Sequence, residues 1–513
     1  MASGYAVRRN AYYDSVFLMG VSQRLGQLPG VQQTAALMAS EQNKALLADI
    51  GIEGDDLRHA GANDLVVAVI ADSPTMVAQA LAGLDDALRT VRGGAVTSER
   101  HTLQDGLEVL PAANLALLTI PGGYVPREAR RALESGLNLF IFSSNVPVEE
   151  ERRLKELARG RNLLVMGPDC GTSIVNGVGL GFANVVRRGT IGVIGPSGTG
   201  LQEFTCQVHH AGRGISHAIG TGSRDLSDEI GGLTSLTALD RLERDPRTEV
   251  IAVVAKPAGV RMGPRLIERL EACPKPVVAC LLGATARPAS AKAIWAETID
   301  AAAEAAIHAA GGAGSAAAAT PGFDERHSST ANIRSNWTPR QRYLRGLFAG
   351  GTLCYQSQQI LSRAGQAVFS NAPLRPEGRL AAADPSREHT LIDMGDEAFT
   401  LGRLHPMIDG SLRRQRVVAE SLDPTVAILL LDFVLGRNAS ADPVGDVLEG
   451  IEEGQRRRPP ADGRLAIVAS VCGTEDDPQD MRRQVDRLRD LGAAVFSSNA
   501  RATAFCLDLL GAA

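Results

Sequence analysis

Short apolar runs recur along the chain, separated by stretches in which apolar positions return at helical spacing. Near the start, residues 65–70 (LVVAVI) read as a strand and 31–38 as a candidate strand, while 15–22 open a helix and 74–88 form another. These elements predict a small α+β domain, ferredoxin-like, over residues 1–90. A polar linker follows over 90–106. From 113 to 310 the alternation is clearest. Strands are predicted at 115–120, 137–142, 163–166, 191–194, 250–255 and 276–282, with helices at 126–135, 149–159, 200–210, 233–240 and 264–272. Strands alternating with helices call for parallel sheets with right-handed crossovers. The stretch predicts two doubly wound units that divide near 183–189, one over 107–185 and one over 186–310. An Ala-rich helix from 301 dissolves into GGAGSAAAAT and, with 321–339, reads as a linker. Residues 340–513 repeat the texture, with a helix at 340–347, strands at 426–431, 464–469 and 493–496, and a helix at 478–491. The predicted fold class is α/β and multi-domain: doubly wound parallel-sheet (Rossmann/flavodoxin-like) modules behind a small α+β N-terminal domain.

A faint internal echo accompanies this pattern. IFSSN at 141–145 returns as VFSSN at 495–499, and Gly-Thr pairs recur at Gly198-Thr199, Gly351-Thr352 and Gly473-Thr474. Two readings fit: one duplicated nucleotide-fold module, or the ordinary turn chemistry of strand ends.

Charge and composition narrow the partners. Lys+Arg 53 against Asp+Glu 58 leaves a formal net charge of −5, which argues against a nucleic-acid binder held by bulk positive charge. No run approaches the ~18 apolar residues of a membrane span, and the polar start MASGYAVRRN does not read as a signal peptide. The 7 cysteines are scattered, with no Cys-x-x-Cys. They read as reduced thiols of a cytoplasmic protein rather than as a disulfide framework or zinc site. The expected partners are a small-molecule substrate and other protein subunits or further copies of the chain.

The sharpest candidate site is IGVIGPSGTGLQEF at 191–204. An apolar strand runs into a Gly/Ser/Thr turn that opens a helix. Backbone N–H groups at such a helix start, with its dipole, suit a phosphate or carboxylate. Ser197, Gly198, Thr199 and Gly200 are the phosphate-binding candidates. The turn lacks the Lys of a P-loop and the spacing of a dinucleotide fingerprint, and a plain tight turn is the other reading. Two further strand-end loops supply substrate-binding candidates: Gly167, Asp169 and Cys170 in MGPDCG, and Gly220, Gly222 and Asp225 in IGTGSRDL, with Asn145 beside them. Cys170 reads as a packed thiol or a nucleophile, and Asp225 as a helix cap or a ligand. Towards the end, Arg403, His405 and Asp409 follow the acidic pair Asp396-Glu397. Arg403 could clamp a carboxylate and His405 act as general acid/base; alternatively His405-Pro406 is a turn and Asp409 caps the helix 410–419. Arg413, Arg414 and Arg416 read as a solvated helix face rather than an anion port.

These motifs resemble a known family. GPDC (167–170), GVIGPSGTG (192–200), IGTGSRDL (219–226), DPRTEVIAVVAKPAG (245–259) and KPVVACLLG (275–283) make residues 113–305 similar to the α subunit of ADP-forming succinyl-CoA synthetases and their acyl-CoA synthetase relatives. The segment 393–409 resembles the FdrA branch of that superfamily, and 345–513 resembles the carboxy-terminal ligase domain of the β subunit. By this resemblance 107–185 is the CoA-binding-like domain, 186–310 the α-like ligase domain and 340–513 a second ligase-like domain. Three departures bear on function. The Gly-His-Ala-Gly loop that carries phosphohistidine in the family is absent after KPVV. Lys256 stands where the family has the glutamate that orients that histidine. The family's Gly-rich CoA loop has no counterpart before 113. A lysine there favours an anion over a cationic imidazole. The resemblance, less these parts, implies phosphate-dependent acyl or carbamoyl transfer. Its leading form is a subunit of oxamate carbamoyltransferase, interconverting oxalurate and phosphate with oxamate and carbamoyl phosphate in ureide (allantoin) degradation. Lys256, His405, Arg403 and Asp409 are then the catalytic candidates. Phosphate or carbamoyl phosphate is expected as substrate, CoA or a nucleotide as a further ligand left open, and no metal. An ADP-forming acyl-CoA synthetase subunit and a non-catalytic scaffold are the alternatives.

Overall fold

The computed structural model describes residues 2–511 except 12, 14, 41–42, 45–46, 49–50, 62, 92–101, 285–291, 312–329, 382–383 and 401–403. It divides into two units, Met1–Ala112 and Ala113–Ala513. No helix among the described residues is long and apolar enough to cross a membrane.

In the first unit β1 (Ala2–Arg8), β2 (Val31–Met38) and β3 (Leu65–Ala71) form an antiparallel sheet in the order β1-β3-β2. β3, LVVAVIA, is central because it is apolar on both faces. Val67 and Val69 pack under the helices Ser15–Gly26 and Pro74–Ala82, through Leu18, Val21, Val77 and Ala80. Val66 and Ala68 face Leu47, Ile52 and Leu57. The second helix starts where Ser73 caps the N–H of Met76 and proline follows. The unit is thus α+β, with a helix after β1, another after β3 and the short helix Asp55–Arg58 between β2 and β3.

The second unit holds three sheets. β4 (Leu115–Leu118), β5 (Asn138–Ile141) and β6 (Val165–Met166) form a small parallel sheet. The next sheet comprises β7 (Thr172–Val175), β8 (Val178–Gly181), β9 (Arg188–Gly195), β10 (Ile215–Gly220), β11 (Val250–Ala255), β12 (Val277–Leu281) and β13 (Ile294–Trp295), in the order β13-β12-β11-β9-β10-β7-β8. The hairpin β7–β8 pairs antiparallel with β10 and extends this sheet rather than closing the one before. The third sheet is wholly parallel: β14 (Tyr343–Phe348), β15 (Val368–Phe369), β16 (His389–Asp393), β17 (Val426–Val434), β18 (Ala466–Cys472) and β19 (Ala494–Phe496), in the order β15-β16-β14-β17-β18-β19. The helix expected over 340–347 is β14. Its Arg345 gives YLRGLF an amphipathic look, yet that guanidinium is 1% exposed and paired with Glu420 and Asp423 at 3.0 and 2.9 Å.

In both large sheets the first parallel strand lies inside the sheet, and the chain then builds outward on either side of it. β9 lies between β10 and β11, and β14 between β16 and β17. Such switch points leave a crevice at the carboxyl ends of the strands. The two sheets share one apolar core: Leu201 and Phe204 on the helix Gly198–His210 belong to the same cluster as Leu353 and Cys354 on the helix Gly351–Arg363. The Ala-rich helix proves to be Ile299–Ala309, with Ala302, Ala303 and Ala306 buried in that core.

The internal echo is only partly structural. Gly198-Thr199 and Gly351-Thr352 open equivalent helices. Gly473-Thr474 lies in a loop, where Thr474 Oγ1 donates to Val185 O. Asn499 is buried at the start of a helix, whereas Asn145 is an exposed loop residue with φ 59°.

Candidate active site between two helix ends

The turn 195–200 meets the equivalent turn of the third sheet. A Cβ built on Gly350 would lie 2.4 Å from Thr199 Oγ1, and one on Gly200 would lie 3.1 Å from Thr352 Cγ2. The helices Gly198–His210 and Gly351–Arg363 thus bring their N-terminal ends together. Ser197 caps the first: its Oγ accepts from Gly200 N at 2.9 Å. The N–H groups of Gly198 and Thr199, and those of Gly351 and Thr352, have no acceptor among the described residues. Thr172 adds an orphan. Its Oγ1 is buried without a hydrogen bond among the described residues and would lie 3.4 Å from a Cβ on Gly198. A buried hydroxyl left unmatched costs about 1–3 kcal/mol, and an anion seated at the turn would satisfy it.

Lys256 follows β11, next to this junction. A Cβ on Gly351 would lie 3.1 Å from its Nζ and 2.2 Å from Asp393 Oδ2. Two positive helix ends and an ammonium therefore converge on one place, the arrangement that suits a multiply charged oxyanion.

Asp432, at the end of β17, holds the second turn. Its carboxylate accepts from Ala349 N at 2.8 Å, Gly350 N at 3.2 Å and Arg413 Nη2 at 2.9 Å. Burial pushes the Asp432 carboxyl up, and Arg413 opposes that. Arg413 is therefore neither a solvated face nor a port: it is 3% exposed and also donates to Leu347 O and Asp432 O. Arg414 and Arg416 pair with Glu449 and Glu420.

Asp393 ends β16. Its backbone exchanges two 2.9 Å hydrogen bonds with the Asn371 amide, and Oδ1 accepts from Gly395 N at 3.0 Å. Burial raises the carboxyl to about 6, against the pull of Lys256. His405 packs on Phe182, with ring centroids 5.9 Å apart. Its Nε2 would lie 2.8 Å from a Cβ on Gly395, the same point that is 3.3 Å from Asp393 Oδ1. Burial lowers the imidazole to about 4, and Nδ1 accepts from Met407 N at 3.3 Å. At neutral pH the ring is thus a neutral Nε2–H donor, which corrects its expected role as an acid/base titrating near neutrality. Asp409 is exposed and its Oδ1 accepts from Ser411 N at 2.9 Å, an Asx turn just ahead of the helix Ser411–Ser421, whose N-cap is Gly410. Arg403 lies outside the described residues.

The other expected ligands form a scaffold beside this junction. Gly167 and Gly222 have φ 111° and 88°, and a Cβ on Gly222 would lie 2.4 Å from Pro168 O. A Cβ on Gly220 would lie 2.4 Å from Cys170 Sγ. These glycines let the two loops pack together. Cys170 is 2% exposed and burial pushes its thiol up to about 12, so it is no nucleophile. Asp225 is 0% exposed and takes hydrogen bonds from Lys155 Nζ, Thr234 N, Ser235 N and Ser235 Oγ. Every lone-pair direction is occupied, so it is a structural cap, not a ligand. Asp169 and Asn145 are exposed at the rim, both at positive φ.

Thr172, Asp393 and the 349–352 turn escape a local reading of the chain. For the last, the Gly-Gly-Thr run at 350–352, echoing Gly198-Thr199, is the signal that points to it.

The CoA-ligase family matches residues 347–507, a CoA-binding domain 186–262, and the family described as AllF, heavy metal-associated domain, 1–102. The CoA-binding match thus falls on the stretch expected to be ligase-like. Residues 1–102 contain no cysteine, and no group of three His, Cys, Asp or Glu among the described residues is placed to hold a metal. The donor set does not fit a soft metal ion. The chain is 39% identical over 500 residues to the Escherichia coli "Uncharacterized protein YahF", covering 97% of each. It is 30% identical over 178 residues to the succinate–CoA ligase [ADP-forming] subunit alpha of Methanothermobacter thermautotrophicus, covering 34% of this chain and 59% of that one. It is 28% identical over 216 residues to the malate–CoA ligase subunit alpha of Methylorubrum extorquens, covering 40% and 71%. The chain therefore belongs to the YahF family, within the superfamily of ADP-forming acyl-CoA synthetases and succinyl-CoA ligases.

Proposed function

We propose that this chain is the phosphate-handling subunit of an enzyme for phosphate-dependent acyl or carbamoyl transfer. Oxalurate plus phosphate, giving oxamate plus carbamoyl phosphate, is the reaction that fits best. The observation that carries the reading is the meeting of the Gly198 and Gly351 helix ends with Lys256 beside them. Free N–H groups, the Thr172 hydroxyl and an ammonium hold the phosphate. No histidine is in place to receive a phosphoryl group after KPVV, and none is needed when phosphate itself attacks the carbamoyl carbon. His405, as a neutral Nε2–H donor, stabilises the oxyanion that forms on that carbon. Further subunits complete the substrate site, and the enzyme works in the cytoplasm.

The test is turnover by the full chain with its genomic neighbours, supplied with carbamoyl phosphate and oxamate. Ureide formation is the expected result, and no turnover with any neighbour would remove the reading. A second reading, an ADP-forming acyl-CoA synthetase with an unusual phosphate carrier, is favoured by one observation: His405 brings an imidazole to the cleft. Labelled ATP distinguishes the two. A phosphohistidine that disappears in His405→Ala would establish the second reading in place of the first.

A further inference from the structure

Among the described residues of this unit four aspartates are buried and differ in how their oxygens are used; Asp477 accepts from Asn184 Nδ2, Val185 N and Thr474 N. Asp225 receives four hydrogen bonds, and Asp432 is bound by two backbone N–H groups and Arg413. Asp393 is also buried, 6% exposed, but among the described residues only its Oδ1 receives a donor, from Gly395. Its Oδ2 lies against Gly351 at the mouth of the second helix, close to Lys256 Nζ, with no hydrogen bond to the described residues. It also lies within no ion pair of 4.0 Å among them. Meanwhile its backbone is clamped on both sides by Asn371. A carboxylate kept for structure alone has its oxygens matched. This one is held rigidly and left open towards the place where phosphate would sit.

We propose that Asp393 is the catalytic proton carrier of this site. The inference rests on the phosphate-dependent transfer reading above. Hydrogen phosphate attacks the carbamoyl carbon of the ureide through one oxygen. The O–C bond forms as the C–N bond breaks. Asp393 Oδ2 takes the proton of the attacking phosphate and delivers it to the departing amide nitrogen. One carboxyl thus starts and ends the cycle in the same state, and no other reactant is required. Lys256 and the helix ends hold the phosphate while its charge moves. The groups facing Asp393 are Lys256 after β11, Asp432 on β17, Asp396 in its own loop, Cys354 on the helix Gly351–Arg363 and His405 across Gly395. Burial and the two neighbouring aspartates work against ionisation while Lys256 favours it. The balance leaves the carboxyl titrating near 6, where both forms are available to a proton carrier.

The test compares the full wild-type chain, with its partner subunits, with Asp393→Asn. In turnover the variant is expected to lose about 10²-fold or more in kcat, the scale of general acid–base catalysis. KM for phosphate should hold or fall, and the acid limb of the kcat profile should vanish. A kcat close to wild type with an unchanged pH profile overturns the proposal. Inorganic phosphate binding to the chain is followed separately against pH by calorimetry. Here Asp393→Asn should tighten binding above pH 6, where the wild-type carboxylate repels the dianion. An unchanged affinity and unchanged pH dependence would place Asp393 away from the phosphate and also overturn the proposal. If the wild type binds phosphate but turns over no ureide, the transfer reading fails by itself, and the binding comparison still decides whether Asp393 touches the anion.

Discussion

Thr199 and Gly350 meet across the boundary between the two large sheets, with only 2.4 Å between Thr199 Oγ1 and the position a Cβ would take on Gly350. Gly350 has φ −121°, which any residue can adopt. The demand for glycine is therefore one of close approach, not of backbone freedom. Gly350→Ala should push the two helix ends apart, cost about 1–3 kcal/mol as overpacking does, and weaken phosphate binding. Thermal melts and phosphate titrations check both, and an alanine variant that melts and binds like the parent would show that the junction is loose.

Lys256 should govern anion affinity without holding the fold. Lys256→Glu is expected to weaken phosphate or acyl phosphate binding by about 10–100-fold, from the roughly 1.5–3 kcal/mol of a hydrogen bond to a charged group. The same calorimetric titration measures it, and unchanged affinity would remove Lys256 from the site.

Asp393 makes stability depend on pH in a defined direction. Its carboxyl is raised from 3.8 to about 6 in the folded chain, so the folded state prefers it protonated. Its contribution is fully present below about pH 4 and is lost as pH rises through about 6. Two pKa units correspond to about 3 kcal/mol. Asp393→Asn should therefore melt higher than wild type at pH 8, with the gain gone by pH 4. Equal melting temperatures at both pH values would mean that the carboxylate is well solvated.

Lys155 offers a contrast, since it serves the fold alone. It is 3% exposed and bonded to Glu151 Oε1 at 2.8 Å and Asp225 Oδ1 at 2.7 Å. Lys155→Met leaves the buried Asp225 without its cation and Glu151 with Arg224 alone, and should cost about 3–5 kcal/mol. Chemical denaturation reads this directly. Phosphate affinity of the folded fraction should not change, and a parallel loss of affinity would return Asp225 to the list of ligands.

What could be read along the chain was what is local. β11 and β17 are apolar runs that fix their own burial, and Ser197-Gly-Thr-Gly announces a capped helix start. Contacts made far along the chain leave no such local mark. Arg345 disguised β14 because its partners, Glu420 and Asp423, lie in another element. Asp225 resembled a ligand because Lys155 reaches it from a helix well before it in sequence. Asp393 ends β16 and carries no local signal that sets it apart from Asp396 and Glu397. Its distinction is the oxygen left open beside Gly351 and Lys256, and only the folded chain shows it. Thr172 carried no signal of its own.

Five residues into each of the paired helices, Glu203 and Gln356 touch, with Nε2 of Gln356 3.4 Å from Glu203 Oε1. Matching positions of two similar units meet there, much as identical surfaces meet on the axis of a dimer, yet both belong to a single polypeptide. Assembly of this crevice is consequently a folding event and not an association. Dilution cannot dissociate it, and each half is free to change its residues without the other having to mirror the change.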